Sequence, residues 1–208
     1  MIEEIIAERG ITRLVHFTRL ANVTSILKHG LVPRAMIADI APQGQTNDPL
    51  RLDGREQYNC LSITFPNSRM FYAYMMENPD VDWAVLLLKP ALLVEGRVLF
   101  CRHNAADNRV TALADEQLKG AAAFQAMFDE IDGLEARADQ YLKPADPTDV
   151  QAEVLVRGLI ERAHLDGIVF QTPAAAQQFN GVGLTRYVSD RRGLFGDRNF
   201  YRTWGKGK

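Results

Sequence analysis

A carboxylate and an amide stand two residues apart in the segment 151–156, which reads Gln-Ala-Glu-Val-Leu-Val. Polar and apolar residues alternate at its start, which is the period of a half-buried strand. On such a strand Gln151 and Glu153 point to one face. Leu155 shares that face, which indicates a lined cleft rather than open water. The pair would suit two-point recognition of a sugar or a base edge, although a solvent-facing glutamate on an edge strand is the commoner arrangement for this segment taken alone.

Other side chains suited to nucleotide chemistry occur earlier in the chain. His16 and Thr18 share one face of a predicted strand, where a histidine can donate to a ribose hydroxyl or a carbonyl; most lone histidines, however, are satisfied core residues. Tyr72 lies on a predicted helix and could stack on a flat heterocycle or pack in the core. Arg51 and Arg55, in an irregular loop, could bind a pyrophosphate or a nucleotide, or stay solvated.

The C-terminal segment 191–208 combines positive charge with aromatic rings. It carries six Lys or Arg residues against one acid, and four aromatic residues are interleaved with them. This combination is typical of a path for single-stranded nucleic acid, because bases stack on rings while cations meet phosphates. The alternative is a final strand with its apolar side docked and a frayed basic end. Residues 205–208 are expected to be disordered.

Composition excludes several classes of protein and site. With 47% hydrophobic and 24% charged residues, the 208-residue chain has the makeup of a folded domain, and its net charge of −2 argues against indiscriminate coating of nucleic acid. The two cysteines lack CxxC spacing and the four histidines lack metal-ligand spacing, so we expect no metal site and a reducing compartment. The acidic residues at 1–4 do not resemble a signal peptide, and no apolar run reaches membrane-spanning length; these features predict a cytoplasmic protein without a membrane partner.

Hydrophobic periodicity predicts short strands and helices in irregular alternation along one domain, residues 1–208. The predicted strands cover residues 13–17, 59–65, 84–88, 97–101, 151–156, 168–170 and 184–188. Predicted helices cover residues 2–9, 20–30, 68–77, 115–132 and 174–179, with long connections at 32–59 and 134–150. The lack of a regular βαβ rhythm favours an α+β fold with mixed or antiparallel sheets.

Three motifs, taken in order, resemble the DarT family of nucleic-acid ADP-ribosyltransferase toxins. The first is Val-His-Phe-Thr at 15–18, followed by a short helix at 22–30 that ends in glycine. The second is a strand that runs into Phe-Pro-Asn-Ser-Arg-Met-Phe-Tyr at 65–72, and the third is Gln-Ala-Glu-Val-Leu-Val at 151–156. Each motif is weak alone, but together they extend over most of the chain, from about residue 13 to residue 204.

The resemblance implies an ADP-ribosyltransferase-like α+β fold: two small, mostly antiparallel sheets with flanking helices, and NAD+ as co-substrate in the cleft between them. His16, Thr18 and Asn22 would bind the NAD+, the first two at the nicotinamide-side ribose and amide. Tyr72 would stack on the nicotinamide. Glu153 would bond a ribose hydroxyl and stabilise the oxocarbenium-like centre as nicotinamide departs.

The resemblance also implies an arginine in the loop after the first helix, which orients the target base or the diphosphate. Of the two candidates, Arg51 is preferred over Arg55. The acceptor in this family is a base of DNA, thymine or guanine, which must be unstacked or single-stranded to reach the anomeric carbon. Residues placed to contact the nucleic acid lie before the catalytic glutamate and in the C-terminal segment: Gln151, Arg198, Tyr201 and Trp204.

An antitoxin that removes the modification, an ADP-ribosyl hydrolase of the macrodomain type, is the implied partner beside single-stranded DNA. Three alternatives stay open on the sequence: an ADP-ribosyltransferase that acts on RNA, one that acts on protein, and a non-catalytic nucleic-acid binder that uses segment 191–208 alone. An RNA 2′-phosphotransferase of related fold is disfavoured, because it would not need Glu153 and should be more basic.

Overall fold

A computed structural model describes residues 1–45 and 52–203, which form one seven-stranded sheet with helices packed against it. The strands are β1 (Leu14–Arg19), β2 (Tyr58–Ile63), β3 (Trp83–Leu88), β4 (Val98–Cys101), β5 (Glu153–Arg157), β6 (Leu165–Phe170) and β7 (Thr185–Val188). The helices are α1 (Ile2–Arg9), α2 (Val23–His29), α3 (Ile37–Ile40), α4 (Ser68–Glu77), α5 (Asn108–Thr111), α6 (Gly120–Ala126), α7 (Pro173–Gln177) and α8 (Arg198–Thr203). Five short 3-10 helices cover Leu20–Asn22, Arg34–Met36, Pro90–Val94, Asp115–Leu118 and Arg162–His164.

The strand order is β4-β5-β2-β1-β3-β6-β7, and every neighbouring pair is antiparallel except β6 and β7. The predicted α+β class is therefore confirmed, whereas the prediction of two small sheets is wrong because the sheet is continuous. Its continuity depends on two residue pairs between β1 and β2, Leu14 with Ile63 and Val15 with Ser62. Beyond them β1 pairs only with β3, and β2 pairs with β5.

Side-chain alternation along the strands builds three apolar clusters. One face of strands β1 to β6 shares a large core with α2, α6 and α7. The opposite face carries two separate clusters, one on β1, β3 and β6 beneath α4 and the other on β4 and β5. The gap between these two clusters lies above the fork of β1 and β2, so the fold leaves a cleft there.

Two local features explain where the chain turns. Helix α2 ends at Gly30, whose φ is 85°, and a Cβ at this position would lie 2.4 Å from the Ile160 carbonyl oxygen, so only glycine fits. The predicted helix at 115–132 is instead divided into a 3-10 turn and α6, because the backbone is extended at Lys119 and φ is 80° at Gly120, neither of which is helical. Among the residues described, no helix combines the length and the apolar character needed to cross a bilayer.

Candidate active site

The cleft at the fork contains a cavity of about 410 Å³, a size typical of small-molecule sites. Its walls come from β1, β2, the start of β5, the segment that follows α2, one side of α4 and the loop at 104–106. Both halves of the sheet therefore contribute side chains to a single site.

Glu153 is the buried carboxylate of this cavity, with 6% of its surface exposed. It is the first residue of β5 and lies opposite Cys101 of β4. One carboxylate oxygen, Oε2, accepts a hydrogen bond of 2.8 Å from the backbone N–H of Ala105. Because Leu61 pairs with Val154, Glu153 lies one position further along, beside Ser62 at the apex of the fork. The site thus holds a carboxylate at a fixed position in a water-poor cleft.

The turn before β5 fixes the approach to Glu153. The side chain of Asp149 accepts a hydrogen bond from the backbone N–H of Gln151, and the backbone carbonyl of Asp149 accepts one from the N–H of Ala152. Its other carboxylate oxygen lies 2.8 Å from Nδ1 of His103, and both side chains are buried. Since His103 is two residues before Ala105, this pair ties the loop that binds the Glu153 carboxylate to the turn that starts β5.

Gln151 does not share the strand face of Glu153, because β5 begins only at Glu153 and Gln151 lies in the preceding turn. Gln151 is not among the residues that line the cavity. The predicted pairing of amide and carboxylate on one strand is therefore wrong. Alternation over two residues is too short a signal to locate the start of a strand.

His16, Thr18 and Asn22 all line the cavity. Nδ1 of His16 lies 2.8 Å from the Cys60 carbonyl oxygen, which can only accept, so Nδ1 carries the proton. This bond joins β1 to β2 where their backbones no longer pair. The Asn22 amide donates to Thr18 Oγ1 and to the Gln45 carbonyl and accepts from the Gln45 N–H, which holds the chain at residue 45 against β1.

Helix α4 turns a different tyrosine to the cavity from the one predicted. Tyr72 is 57% exposed and does not line the cavity, whereas Asn67, Met70 and Tyr74 do. These three residues follow the i, i+3, i+7 spacing of one helix face, and Phe71 faces the core instead. The structure therefore places Tyr74, not Tyr72, where a flat ring could be stacked.

Of the two candidate arginines, the structure describes only Arg55. Arg51 lies outside the described residues. Arg55 is not a cavity residue; its Nε donates to Asp115 at 3.1 Å. Arg34, which the sequence reasoning missed, does line the cavity, and its buried Nη1 has no hydrogen-bond partner within the described part of the chain. Its Nε lies 3.8 Å from Glu56. No periodicity surrounds Arg34, so only its position soon after the α2 glycine could have indicated it.

Two of the basic residues described in the C-terminal segment, Arg198 and Arg202, bond to the protein itself. Arg198 is 2% exposed and donates to the carbonyls of Pro147 and Thr148 at 2.7 and 3.1 Å. Arg202 forms a bidentate pair with Asp146, both bonds being 2.7 Å. Burial opposes ionisation of Asp146, but hydrogen bonds from Arg202 and Thr64 outweigh it and lower its pKa. The two arginines thus fasten α8 to the loop that leads to Glu153.

The residues of this segment that were predicted to contact nucleic acid differ in how far they are exposed. Arg198 is too deeply buried to meet a phosphate, and burial lowers its pKa to about 10, which leaves it charged at neutral pH. Tyr201 is 40% exposed, and its ring centroid is 5.5 Å from that of Phe65. Trp204 and residues 205–208 lie outside the described residues.

The cysteine beside the carboxylate is unsuited to nucleophilic chemistry. Cys101 is fully buried, and burial, with a smaller contribution from the charge of Glu153, raises its pKa to about 12. A thiol with that pKa stays protonated at neutral pH and is a poor nucleophile. Glu153 is therefore the reactive group that the geometry favours.

The chain is similar to one protein family and to several solved structures. The model of a family described as "ssDNA thymidine ADP-ribosyltransferase, DarT" matches residues 15–191. A structure of Thermosipho africanus DarTG in complex with ADP-ribose is 17% identical, with a TM-score of 0.62 over 88% of this chain and 51% of that one. Thermus sp. 2.9 DarT in complex with NAD+ is 14% identical, with a TM-score of 0.54 over 86% of this chain and 96% of that one. The same Thermus protein in complex with ADP-ribosylated ssDNA is 12% identical, with a TM-score of 0.57 over 86% and 95%.

The chain spans about half the length of the Thermosipho africanus protein that it matches. At these identities the structural likeness establishes the fold. A comparison with curated protein sequences gives no significant match.

Proposed function

Since the chain belongs to the DarT family of ssDNA thymidine ADP-ribosyltransferases, as its motifs indicated, we propose that it transfers ADP-ribose from NAD+ to thymidine in single-stranded DNA. The observation that carries this proposal is Glu153, a buried carboxylate held at the apex of a nucleotide-sized cleft. The chain shares the fold of a Thermus DarT whose structure is in complex with NAD+. Thymidine, rather than the guanine that the motifs also allowed, follows from the family description.

The length of the cleft suggests how NAD+ is oriented. Strand β2 runs from Tyr58, near Arg34, to Ser62, beside Glu153, and all four residues line the cavity. Because the carboxylate must lie close to the reacting sugar, the nicotinamide-bearing ribose belongs at the Ser62 end. The diphosphate then lies toward Arg34, whose buried Nη1 has no hydrogen-bond partner in the described part of the chain and suits a phosphate oxygen.

In the proposed reaction the bond between the ribose anomeric carbon and the nicotinamide nitrogen breaks, and nicotinamide leaves with the electron pair. The ribose acquires oxocarbenium character, and the Glu153 carboxylate stabilises this positive charge. A fixed carboxylate in a water-poor site does so better than bulk water, because it needs no reorganisation. A nitrogen of the thymine base then bonds to the anomeric carbon and loses its proton. The base must be unstacked to reach that carbon, which explains a single-stranded substrate.

The remaining residues are given roles that the family resemblance implied, adjusted to their positions in the structure. His16 and Thr18 contact the nicotinamide-side ribose and amide, and Asn22 supports them by holding residue 45 against β1. Tyr74 takes the stacking role first given to Tyr72. Arg51 remains the candidate for orienting the target base or the diphosphate.

On the nucleic-acid side, Tyr201 is half-exposed and can stack on a base. Trp204 keeps the same proposed role. Gln151, in the turn before Glu153, contacts the single-stranded DNA from that turn. Arg198 acts indirectly, because its hydrogen bonds hold the loop before Glu153 in place. A purely non-catalytic binder is disfavoured, because Arg198 and Arg202 are engaged inside the protein.

A toxin that modifies DNA requires protection of its host. We therefore propose a cognate antitoxin of the macrodomain type that removes ADP-ribose, in line with the Thermosipho africanus protein described as DarTG in complex with ADP-ribose. The proposed compartment is the cytoplasm, where the DNA substrate lies.

The proposal is tested by incubating the protein with labelled NAD+ and matched oligonucleotides: single-stranded DNA with and without thymidine, the same sequence as a duplex, and single-stranded RNA. We expect adducts on thymidine-containing single strands, with little product on the duplex. Adducts on RNA alone would support the RNA-directed alternative. Self-modified protein without any oligonucleotide adduct would support the protein-directed one.

A further inference from the structure

Asn67 lines the cavity and carries a buried amide nitrogen that has no hydrogen-bond partner among the described residues. It is the N-cap residue of α4, and its Oδ1 accepts a hydrogen bond of 3.2 Å from the backbone N–H of Met70. Only the amide oxygen can accept that bond, so the cap fixes which way the side chain points. Its Nδ2 is buried and has no hydrogen-bond partner among the described residues, although the side chain is 1% exposed and lines the cavity.

An unpartnered buried donor in a cavity calls for an acceptor on the bound ligand. Buried polar side-chain groups in native proteins nearly always have a partner, and those without one commonly lie at functional sites. The helix cap would be equally well made by serine or aspartate, which have no such amide group. The Nδ2 group of Asn67 is therefore not explained by the architecture of α4 alone.

The position of Asn67 identifies the part of the ligand that it meets. It follows β2 at the end where Ser62 and Glu153 lie, which is the end assigned to the nicotinamide-bearing ribose. On the same face of α4, Met70 and Tyr74 add flat and apolar surface, and the ring centroid of Phe17 lies 6.0 Å from that of Tyr74. A flat heteroaromatic ring that carries a carbonyl oxygen at its edge fits this wall.

We propose that Nδ2 of Asn67 donates a hydrogen bond to the carboxamide oxygen of nicotinamide while Met70 and Tyr74 pack against its ring. Asn67 is then the residue that selects a leaving group carrying a carboxamide. This inference rests on the proposed ADP-ribosyltransferase function, and it deepens that function by assigning the contact that recognises the leaving group.

Two substitutions separate the donor from the helix cap. Asn67→Ser and Asn67→Asp both keep an oxygen that can cap α4, and both remove the amide donor. Met76→Ser is the matched control, because Met76 lies on the same helix, is exposed and does not line the cavity. The binding of free nicotinamide and of ADP-ribose, which lacks the nicotinamide ring, is measured for each protein by ligand-observed NMR titration.

We expect nicotinamide to bind both Asn67 variants at least about tenfold more weakly, the effect of losing one hydrogen bond. ADP-ribose should bind them as it binds the wild type, and Met76→Ser should change neither affinity. Unchanged nicotinamide binding overturns the inference, as does an equal loss for both ligands, which would indicate a structural role. A raised KM for the oligonucleotide with unchanged nicotinamide binding would assign the acceptor to the target base and overturn it too.

Failure of the proposed function has a different signature. Wild-type protein that consumes no NAD+ with any oligonucleotide would refute the transferase. Binding of nicotinamide and ADP-ribose is measured without turnover, so it tests the Asn67 contact separately from catalysis.

Discussion

Replacing Glu153 by glutamine tests the central electrostatic argument with the smallest possible change. Glutamine has the same shape, and its amide oxygen can still accept the 2.8 Å hydrogen bond from the Ala105 N–H. The substitution therefore removes one negative charge and leaves the loop at 104–106 anchored. Binding of NAD+ should change little, because the charge matters most when the ribose becomes cationic.

The size of the effect follows from the burial of the carboxylate. Two unit charges about 4 Å apart interact by about 4 kcal/mol at an effective dielectric constant near 20, and by only about 1 kcal/mol in bulk water. Glu153 is 6% exposed, so the larger value applies. Because about 1.4 kcal/mol corresponds to a factor of ten in rate, we expect glutamine to slow the transfer step by about 10²–10³-fold.

The assay is single-turnover transfer from labelled NAD+ to a thymidine oligonucleotide, with NAD+ affinity measured in parallel. Glu161→Gln is the matched control, since it neutralises an exposed glutamate outside the cavity and should leave the rate unchanged. A loss of only about fivefold for Glu153→Gln would correspond to a solvent-screened charge, and it would refute the argument from burial.

Other variants test the surroundings of the carboxylate. Tyr74→Ala should raise the KM for NAD+ about tenfold through lost ring packing, whereas Tyr72→Ala, on the exposed side of α4, should leave it unchanged. Asn22→Ala should also raise the KM for NAD+. It should lower the free energy of unfolding in urea by about 1–3 kcal/mol, because the backbone N–H and carbonyl of Gln45 both lose their hydrogen bond to the Asn22 side chain. Asp146→Asn should cost about 3–5 kcal/mol at pH 7, because it leaves the buried Arg202 charge uncompensated. The pKa of Asp146 is lower in the folded protein than its unfolded value of about 3.9. Its ionised form therefore stabilises the fold above about pH 3.9, and this stabilisation is lost as the pH falls through the folded pKa. The free energy of unfolding in urea should accordingly change less between pH 7 and pH 3 for the variant than for the wild type.

Much of the site could be predicted because short strands leave a clear periodic signal. The pattern at β1 placed His16 and Thr18 beside one another, and both line the cavity. Leu155 was correctly placed on the face of Glu153, since it belongs to the cluster on β4 and β5 that borders the cleft. The carboxylate was thus predicted from strand alternation together with the order of the three motifs.

The tyrosine on α4 could not be predicted from spacing. Two residues that are two positions apart on a helix point about 200° away from each other, so the choice between Tyr72 and Tyr74 depends on how the helix is rotated. Packing of Phe71 against Phe17 of β1 and Trp83 of β3 sets that rotation, and the strand that carries Phe17 is far from the helix in sequence. Helix periodicity shows that a face exists, but tertiary contacts decide what it covers.

Two interpretations of the C-terminal segment stayed open on the sequence, because charge alone does not reveal its partner. Arg202 pairs with Asp146, 56 positions earlier, and Arg198 binds carbonyls at Pro147 and Thr148. A run of basic and aromatic residues is compatible with a nucleic-acid path and with an internal fastening alike. The two are distinguished by the loop at 143–149, which supplies the partners of Arg198 and Arg202. This loop has no periodicity, so the sequence did not reveal where it lies.

The contacts of Asp146 connect this fastening to the chemistry. Besides Arg202, the carboxylate accepts a hydrogen bond of 2.7 Å from Thr64, a β-branched residue with a φ of 63°, directly after β2. A β-branched residue adopts this conformation only when its surroundings enforce it. Asp146 therefore holds the end of β2, helix α8 and the loop before β5 at one point. Since β2 and β5 form one wall of the cleft and Glu153 begins β5, helix α8 helps to fix where the carboxylate lies.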